Sequence, residues 1–252
     1  MNSLVKFSLN EGSLMTKVLY KPLFNVLMLL YVYIPGQDFG LAIIGLTLLI
    51  RIILYPSYLK TLQAQQSLKK LQPHIDRVKE EFKHDKTQQS KELVKLYQEH
   101  KVNPLGGCLP LIIQLPILFA LYRVFAAGLS DESLIHLYQW FPSVPDTINT
   151  MFLGFTHIPS LVVNLAVPNM YLAIIAGVVQ LVQSITMKRL QPAPSASDGG
   201  MAKIINTQMI YFFPIFTVFI AWSLPAALSL YWVATTFFMV IQQLIILRRI
   251  QE

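Results

Sequence analysis

The segment Phe39-Gly-Leu-Ala-Ile-Ile-Gly-Leu-Thr-Leu-Leu-Ile-Arg51-Ile-Ile-Leu-Tyr55 is apolar everywhere except at Thr47 and Arg51. With its flank to Tyr58 it has the roughly 20 residues that a helix needs to cross a bilayer. A guanidinium stays protonated in proteins, because its pKa is above ~12. Placing it inside a spanning helix costs about 2.5–3.5 kcal/mol on insertion scales. Arg51 is therefore a candidate functional residue whose surroundings must compensate for its charge.

The composition indicates an all-α polytopic membrane protein. Of the 252 residues, 54% are hydrophobic and 13% are charged, whereas soluble domains carry about 25% charged residues. The net charge of +7 is concentrated in segments between apolar runs, and no nucleic-acid-binding motif is visible, so we expect no DNA partner. Cys108 is the single cysteine, which excludes an intrachain disulfide.

Apolar runs of spanning length predict a five-span helical bundle. The spans are expected at residues 39–58, 105–125, 169–189, 207–224 and 226–247, and the last two meet in a tight helical hairpin. Residues 1–38 are expected to be an extracytoplasmic segment in which Tyr20–Ile34 forms an interfacial amphipathic helix, with a sixth span as the alternative. The remaining parts are a helical hairpin at 59–104, loops at 126–168 and 190–206, and a tail at 248–252.

Basic residues predict the orientation of these spans, because Lys and Arg favour cytoplasmic segments. The segment 60–101 carries ten of them, while 126–168 carries none but has Asp131, Glu132 and Asp146. We therefore expect a protein of the cell membrane with its N-terminus outside and its C-terminus in the cytoplasm. Lys6, Lys17 and Lys21 would then lie outside, which is a weak objection.

The segment 59–104 predicts a cytoplasmic basic helical hairpin. Its apolar residues follow a heptad-like spacing: Ala64, Leu68, Leu71, Ile75, Val78 and Phe82. A polar turn is expected at 84–87, and Pro73 should bend the first helix. The hairpin either links two spans as a solvated connection or serves as a docking arm for a partner or a nascent chain.

The sequence shows no motif that is typical of enzymatic chemistry. The five histidines are scattered without an HExxH pattern, and there is no Gly-rich phosphate loop. No Asp or Glu lies within a predicted span, which argues against a carboxylate proton relay. The sequence therefore predicts a non-enzymatic protein with no cofactor and no metal.

Uncharged polar residues accompany Arg51 in the spans, notably Thr47, Gln114, Gln180 and Gln183. They can act as helix–helix hydrogen-bond partners, which suits isolated hydroxyl groups. The five donors of Arg51 need more acceptors, and the spans contain no carboxylate to provide them. Glutamine carbonyls, backbone carbonyls and water remain, so we expect a hydrated cavity around Arg51, with Thr47 one turn away on the same face.

Several motifs carry a resemblance to a known family. They are the block Gly45-Leu-Thr-Leu-Leu-Ile-Arg51-Ile-Ile-Leu-Tyr-Pro56, the dipeptide Gln72-Pro73, the run Asn103-Pro-Leu-Gly-Gly-Cys-Leu-Pro110, and Leu228-Ser-Leu-Tyr-Trp232. Together they resemble the YidC family of membrane protein insertases over roughly residues 20–249. The Asn-Pro-Leu-Gly-Gly-Cys-Leu-Pro run is the most specific, because it meets no general need of a membrane helix.

The resemblance implies a five-span core around a hydrophilic groove that opens to the cytoplasm and the lipid and is sealed outside. Arg51 would be the groove arginine, Trp232 the groove aromatic, and Gln183 or Gln180 the groove glutamine, with Gln183 preferred. The hairpin would receive substrates and contact targeting factors. The implied partners are nascent membrane proteins and the lipid bilayer, with the Sec translocon, the signal recognition particle pathway and the ribosome as further candidates.

Two departures qualify this resemblance. No large extracytoplasmic domain precedes the first core span, as in the short forms of bacteria with a single membrane, and the tail after Leu247 is too short to be a long basic ribosome-binding tail. The hypothesis is an insertase that inserts nascent membrane proteins without nucleotide hydrolysis. The alternatives are a small-anion channel or carrier, and a chaperone that assists assembly without inserting.

Overall fold

The computed structural model describes residues 15–103, 109–126, 136–141, 148–156, 162–189 and 199–251. The protein is all-α, as predicted. Its helices are α1 (Lys21–Tyr33), α2 (Phe39–Glu81), α3 (Lys86–Glu99), α4 (Leu109–Ala126), α5 (Met170–Lys188), α6 (Gly199–Ser223) and α7 (Ala226–Gln251). A π-helical turn at Thr16–Tyr20 precedes α1. Strands β1 (Met151–Phe152) and β2 (Val163–Asn164) pair antiparallel, Met151 opposite Asn164 and Phe152 opposite Val163.

Three of these helices are long and apolar enough to cross a membrane: Phe39–Glu81, Met170–Lys188 and the Ala226–Ile246 part of α7. Two shorter apolar stretches, Ile112–Phe125 and Ile210–Ser223, lie within α4 and α6. These five stretches overlap the five predicted spans, and the crossing of a membrane by the two shorter ones stays a prediction. Large hydrophobic side chains on their outer faces are exposed, such as Ile53, Ile215 and Phe219, which is the pattern of helices that face lipid.

Helix α2 joins the first predicted span to the hairpin without interruption. It runs for 43 residues, which is roughly 65 Å at 1.5 Å per residue, about twice the thickness of the hydrocarbon layer. Pro56 and Pro73 lie inside it and do not end it. The predicted boundary at residue 58 therefore marks a change from apolar to polar residues within one helix, and it is not a helix end.

The first residues of α2 are tied to the loop that contains β1. The Asp38 carboxylate accepts a hydrogen bond from the Leu41 backbone N–H at 2.9 Å, as a helix N-cap. Its second oxygen accepts one from the Leu153 backbone N–H at 2.6 Å. Phe152 packs so closely on Gly40 that a side chain there would overlap its ring. Asp38 itself is only 3% exposed.

A helical hairpin is present, and its turn lies at residues 82–85, slightly before the predicted turn at 84–87. Helix α2 ends at Glu81, and Asp85 caps α3 by accepting from the backbone N–H groups of Thr87 and Gln88. Leu71 and Ile75 on the predicted seam are buried, while no residue of α3 is. The cytoplasmic position of this hairpin stays a prediction.

Two helix ends differ from the predicted boundaries. Helix α6 begins at Gly199, inside the predicted loop 190–206, and α7 continues to Gln251, through the predicted tail. The predicted boundaries were based on hydropathy, which identifies only the apolar part of a helix. Polar turns at the end of a helix keep their backbone hydrogen bonds and extend it further. The rest of that loop, residues 190–198, lies outside the described residues. The tight α6–α7 hairpin is present, with Leu224 and Pro225 between the helices.

Helix α1 contributes a buried face to the main apolar core. Phe24, Leu27 and Met28 have no exposed surface, and they belong to a cluster that also includes Leu46 of α2 and Leu121 of α4. The predicted helix is thus present, and its buried face packs against α2 and α4. Its depth in the membrane stays a prediction.

Helices α5 and α6 approach each other closely at Gly177. A Cβ atom there would overlap the Val218 Cγ2 methyl and lie 3.1 Å from the Pro214 carbonyl oxygen. We expect Gly177→Ala to lower the unfolding temperature of the purified protein, because overpacking costs about 1–3 kcal/mol. Gly45→Ala is the matched control, since its Cβ would meet Leu30 Cδ1 at an ordinary 3.4 Å. Equal unfolding temperatures for the two variants would contradict this prediction.

Candidate functional site

Arg51 lies where three helices meet. It is buried on α2, 6% exposed, and its Nε and Nη2 donate to the Thr235 hydroxyl of α7 at 3.0 and 2.9 Å. Nη2 also donates to Gln114 Oε1 of α4 at 3.2 Å. The Gln114 amide nitrogen in turn donates to the Tyr231 hydroxyl at 2.6 Å. We call Arg51, Gln114, Tyr231 and Thr235 the arginine cluster.

Helical spacing explains why the cluster forms on α7. Tyr231 and Thr235 are four residues apart, so they lie on one face of the helix, and both are buried. Gln114 has a donor and an acceptor on one amide, and it therefore bridges the cation and the phenol. The cluster holds α2, α4 and α7 together through uncharged partners.

The positive charge of Arg51 is not neutralised by a carboxylate in the described part of the chain. The ion pair recorded there joins the exposed residues Lys83 and Glu80 of the hairpin. Among the described residues Nη1 of Arg51 has no hydrogen-bond partner, yet it is not one of the fully enclosed, unpaired polar atoms. Nη1 can therefore still donate a hydrogen bond to an incoming group.

Thr47 does not contact the arginine cluster by a hydrogen bond. It is completely buried, and its hydroxyl donates to the Ile43 carbonyl oxygen of its own helix at 2.7 Å. That bond is the usual one for a hydroxyl in an apolar helix. Thr47 shares the face of Arg51, as predicted, but its hydroxyl hydrogen is already used.

The other predicted site residues form a second set between α5 and α7. Trp232 Nε1 donates to Gln180 Oε1 at 3.3 Å, and Gln180 Nε2 donates to Gln183 Oε1 at 3.3 Å. We call these three residues the tryptophan cluster. Both candidate glutamines belong to it, and Gln180 is the one that contacts the tryptophan. Trp232 follows Tyr231 directly on α7, so the two clusters adjoin there.

Two members of the arginine cluster, Tyr231 and Thr235, were not predicted as site residues. Thr235 is one of several hydroxyl residues in the predicted spans, and Tyr231 lies in the Leu-Ser-Leu-Tyr-Trp motif. Their four-residue spacing indicated a shared face, but which helix that face meets depends on the packing of the bundle. Sequence spacing alone does not provide that.

Arg123 of α4 is a second arginine within a predicted span, and the sequence interpretation overlooked it. Its guanidinium lies over the Tyr20 ring, 5.0 Å from the centroid, and Nη1 donates to the Thr16 hydroxyl at 3.4 Å. A cation over an aromatic face is stabilised by the ring quadrupole. Arg123 therefore fastens α4 to the turn before α1, nine residues along α4 from Gln114 of the arginine cluster. Among the described residues no group of His, Cys, Asp and Glu could hold a metal ion.

The chain resembles known proteins over most of its length. A sequence model of the "60Kd inner membrane protein" family matches residues 30–252. A membrane protein insertase YidC of Fusobacterium nucleatum subsp. nucleatum is 35% identical over 212 residues, covering 84% of this chain and 87% of that protein. Proteins of the same name from Actinobacillus succinogenes and Anaeromyxobacter sp. strain K are 35% and 32% identical.

The fold and the buried arginine define an all-α integral membrane protein. The chain belongs to the YidC family, also described as the 60Kd inner membrane protein family, as its motifs predicted. It covers 37% of the Actinobacillus relative and 34% of the Anaeromyxobacter relative, so it corresponds to about a third of their length.

Proposed function

We propose that this protein inserts nascent membrane proteins into the lipid bilayer, without nucleotide hydrolysis. One observation carries the proposal: Arg51 is buried among uncharged partners, with Nη1 left unpaired among the described residues. A permanent charge in that position is costly, so it is retained for a task. The name of the related proteins, membrane protein insertase, indicates the task.

The task is to carry a short polar or acidic segment across the membrane while the adjoining apolar helix enters lipid. A hydrophilic groove around Arg51 would shorten the distance that the segment crosses in a medium of low dielectric constant. A positive charge about 4 Å from a carboxylate contributes ~4 kcal/mol at an effective dielectric constant of 20. That attraction draws the segment in, and its modest size permits release.

The apolar helix of the substrate supplies the driving force. Its transfer from water to lipid is favourable by about 25 cal/mol per Å² of apolar surface. This gain replaces the free energy of nucleotide hydrolysis. The tryptophan cluster would line the side of the groove next to Arg51, since Trp232 adjoins Tyr231 on α7.

The remaining parts of the proposal concern partners and orientation. The basic hairpin of α2 and α3 would receive nascent chains from the cytoplasm, where the ribosome, the signal recognition particle pathway and the Sec translocon are candidate partners. The excess of Lys and Arg in the hairpin supports a cytoplasmic position. The protein would lie in the cell membrane with its N-terminus outside.

The proposal is tested with purified protein in liposomes. A membrane protein with a short acidic N-terminal segment is synthesised, freed of nucleotides and added to the liposomes, and protease protection reports its insertion. We expect insertion above the level of empty liposomes. A substrate with the acidic residues changed to their amides is the control and should insert less.

Photocrosslinking from Arg51, Gln183 and Trp232 to a stalled nascent chain locates the path. Crosslinks at these positions without protease-protected product would favour an assembly chaperone. Anion flux that depends on Arg51, with no insertion, would favour a channel or carrier. Either result contradicts the insertase.

A further inference from the structure

Arg123 of α4 has two enclosed N–H groups that lack an acceptor. Among the described residues its Nε and Nη2 have no hydrogen-bond partner, while Nη1 donates to the Thr16 hydroxyl at 3.4 Å. The Tyr20 ring, 5.0 Å from the guanidinium carbon, stabilises the cation through its face and accepts no ordinary hydrogen bond. Unpaired buried donors are costly and uncommon, so these two need an acceptor from elsewhere.

The two unpaired donors form the edge of the guanidinium that binds oxyanions. Nε–H and one N–H of Nη2 point the same way, and such a fork can bind two oxygens of a phosphate or a carboxylate at once. Lys17, Lys21 and Arg123 are the charged residues of the described segments in this part of the fold, which contain no Asp or Glu: residues 15–33, 109–126 and 136–141. Charge complementarity therefore favours an anion.

Arg123 lies at the end of an exposed apolar face of α4. Ile112, Leu115 and Phe119 are exposed, and they precede Arg123 by eleven, eight and four residues, which places all four on one side of the helix. Arg123 is itself partly exposed, and α4 ends three residues later at Ala126. An apolar stripe that ends in a cation matches a phospholipid, whose apolar tail ends in a phosphate.

The residues next to Tyr20 have the composition of a membrane–water interface. His136 packs edge-on against the Tyr20 ring, with centroids 5.2 Å apart. Tyr138 and Trp140 stack on each other at 5.8 Å, Trp140 is 68% exposed, and the Lys21 ammonium lies over the Tyr138 ring. Tyr and Trp are enriched at the level of the lipid headgroups. These contacts therefore indicate the depth at which lipid phosphates are found.

We propose that Arg123 binds the phosphate group of an anionic phospholipid whose tail lies along the exposed face of α4 from Phe119 to Ile112. The guanidinium turns toward the lipid, as arginines near the ends of spanning helices do, and Nε and Nη2 each donate to one phosphate oxygen. Lys17 and Lys21 favour a headgroup of net negative charge. The site goes beyond the proposed function, and neither depends on the other.

Thermal unfolding in detergent tests the site. Phosphatidylglycerol is added to delipidated protein, to Arg123→Gln and to Arg77→Gln. Arg77 is an exposed arginine of the hairpin, so its variant makes the same change of charge away from the site. We expect the lipid to raise the unfolding temperature of the unsubstituted protein and of Arg77→Gln by about 2–4 °C, because a ligand stabilises the folded state that binds it. Arg123→Gln should show no rise.

Native mass spectrometry measures the binding directly. The amount of phosphatidylglycerol that stays on the protein should fall about tenfold in Arg123→Gln, as expected for the loss of a charge-assisted hydrogen bond, and should not change in Arg77→Gln. Arg123→Lys should retain part of the binding, because it keeps the charge over Tyr20 and lacks the fork. It replaces Arg123→Gln in the test if that variant does not fold, and full lipid binding by Arg123→Lys would overturn the role of the fork.

Three further probes identify the ligand. Diacylglycerol has the tails without the phosphate, inorganic phosphate lacks the tails, and phosphatidylcholine has the phosphate without the net charge. We expect phosphatidylcholine to stabilise less than phosphatidylglycerol, and the other two probes to have no effect. If inorganic phosphate stabilises the protein as much as phosphatidylglycerol does, and Arg123→Gln abolishes the effect, the site binds free phosphate and the assignment to a lipid is overturned.

Two other results would overturn the site itself. One is an equal lipid-induced rise in Arg123→Gln and in the unsubstituted protein. The other is a loss of stability in lipid-free Arg123→Gln that Asp131→Asn or Glu132→Gln reproduces, because Arg123 would then pair with a carboxylate of its own chain. Liposome insertion by the unsubstituted protein tests the proposed function separately from all of these measurements.

Discussion

Arg51→Ala is expected to reduce liposome insertion by roughly a hundredfold for substrates with an acidic segment. The attraction that it removes is about 4 kcal/mol for a carboxylate at ~4 Å, and each ~1.4 kcal/mol changes a rate tenfold; hydration of the groove lowers that figure. The variant should still fold, because the substitution removes a buried charge together with its desolvation cost. Insertion is measured by protease protection, and folding by the unfolding temperature in detergent.

Arg51→Lys separates charge from geometry. Lysine keeps the positive charge but lacks the planar fork with which Arg51 binds Thr235 and Gln114. We expect it to retain most of the insertion that Arg51→Ala loses. Equal loss in both variants would show that guanidinium geometry matters more than charge, and full activity of Arg51→Ala would refute the charge mechanism.

Thr235→Val is the control for the surroundings of the arginine. Valine has nearly the shape of threonine but removes the acceptor of two hydrogen bonds from Arg51. The charge remains, so insertion should fall less than in Arg51→Ala. A hundredfold loss here would mean that holding the guanidinium in place is as important as its charge.

The sequence predicted that Arg51 needs uncharged hydrogen-bond acceptors. It did not identify every residue of the cluster that the structure shows. Its segment lacked a carboxylate, so a glutamine carbonyl was expected, and Gln114 accepts from it. Thr235 and Tyr231 complete the cluster from a helix about 180 residues away. A spacing of four residues defines a face of one helix, but the partner of that face is set by the packing of the whole bundle.

The positions of the helix ends were predicted less accurately than the locations of the apolar helices. Hydropathy located all five apolar stretches, because the apolar part of a spanning helix must match the thickness of the hydrocarbon layer. It could not reveal that α2 continues to Glu81 or that α6 begins at Gly199. Those turns are polar, so hydropathy does not detect them. Their residues nevertheless form the same backbone hydrogen bonds as the residues of an apolar helix.

The resemblance and the structure contribute different information about the groove. The motifs indicated Trp232 and one glutamine, and the structure joins Trp232 to Gln180 and Gln183 in one cluster. It also shows that Thr47 bonds within its own helix. A groove open to the cytoplasm stays a prediction.

Asp38→Ala is expected to cause the largest loss of stability among these substitutions. It removes the N-cap of α2, worth about 0.5–2 kcal/mol, and it leaves the Leu153 backbone N–H without its partner, at a cost of about 1–3 kcal/mol. Together these predict a drop of about 5–10 °C in the unfolding temperature in detergent. The loop with β1 should also become more sensitive to protease, because Asp38 is its link to α2.

Two matched variants separate the contributions at Asp38. Asp38→Asn keeps a good N-cap but has only one oxygen, so it should lose the Leu153 bond and fall between Asp38→Ala and the unsubstituted protein. Asp85→Ala removes an N-cap with two backbone bonds that is exposed and local to the hairpin, and it should lower the unfolding temperature by only a few degrees. If Asp38→Ala and Asp85→Ala have the same effect, the Leu153 link contributes nothing to stability. The start of α2 would then be held by apolar contacts, among them the packing of Phe152 on Gly40 and of Phe39 in the main apolar core.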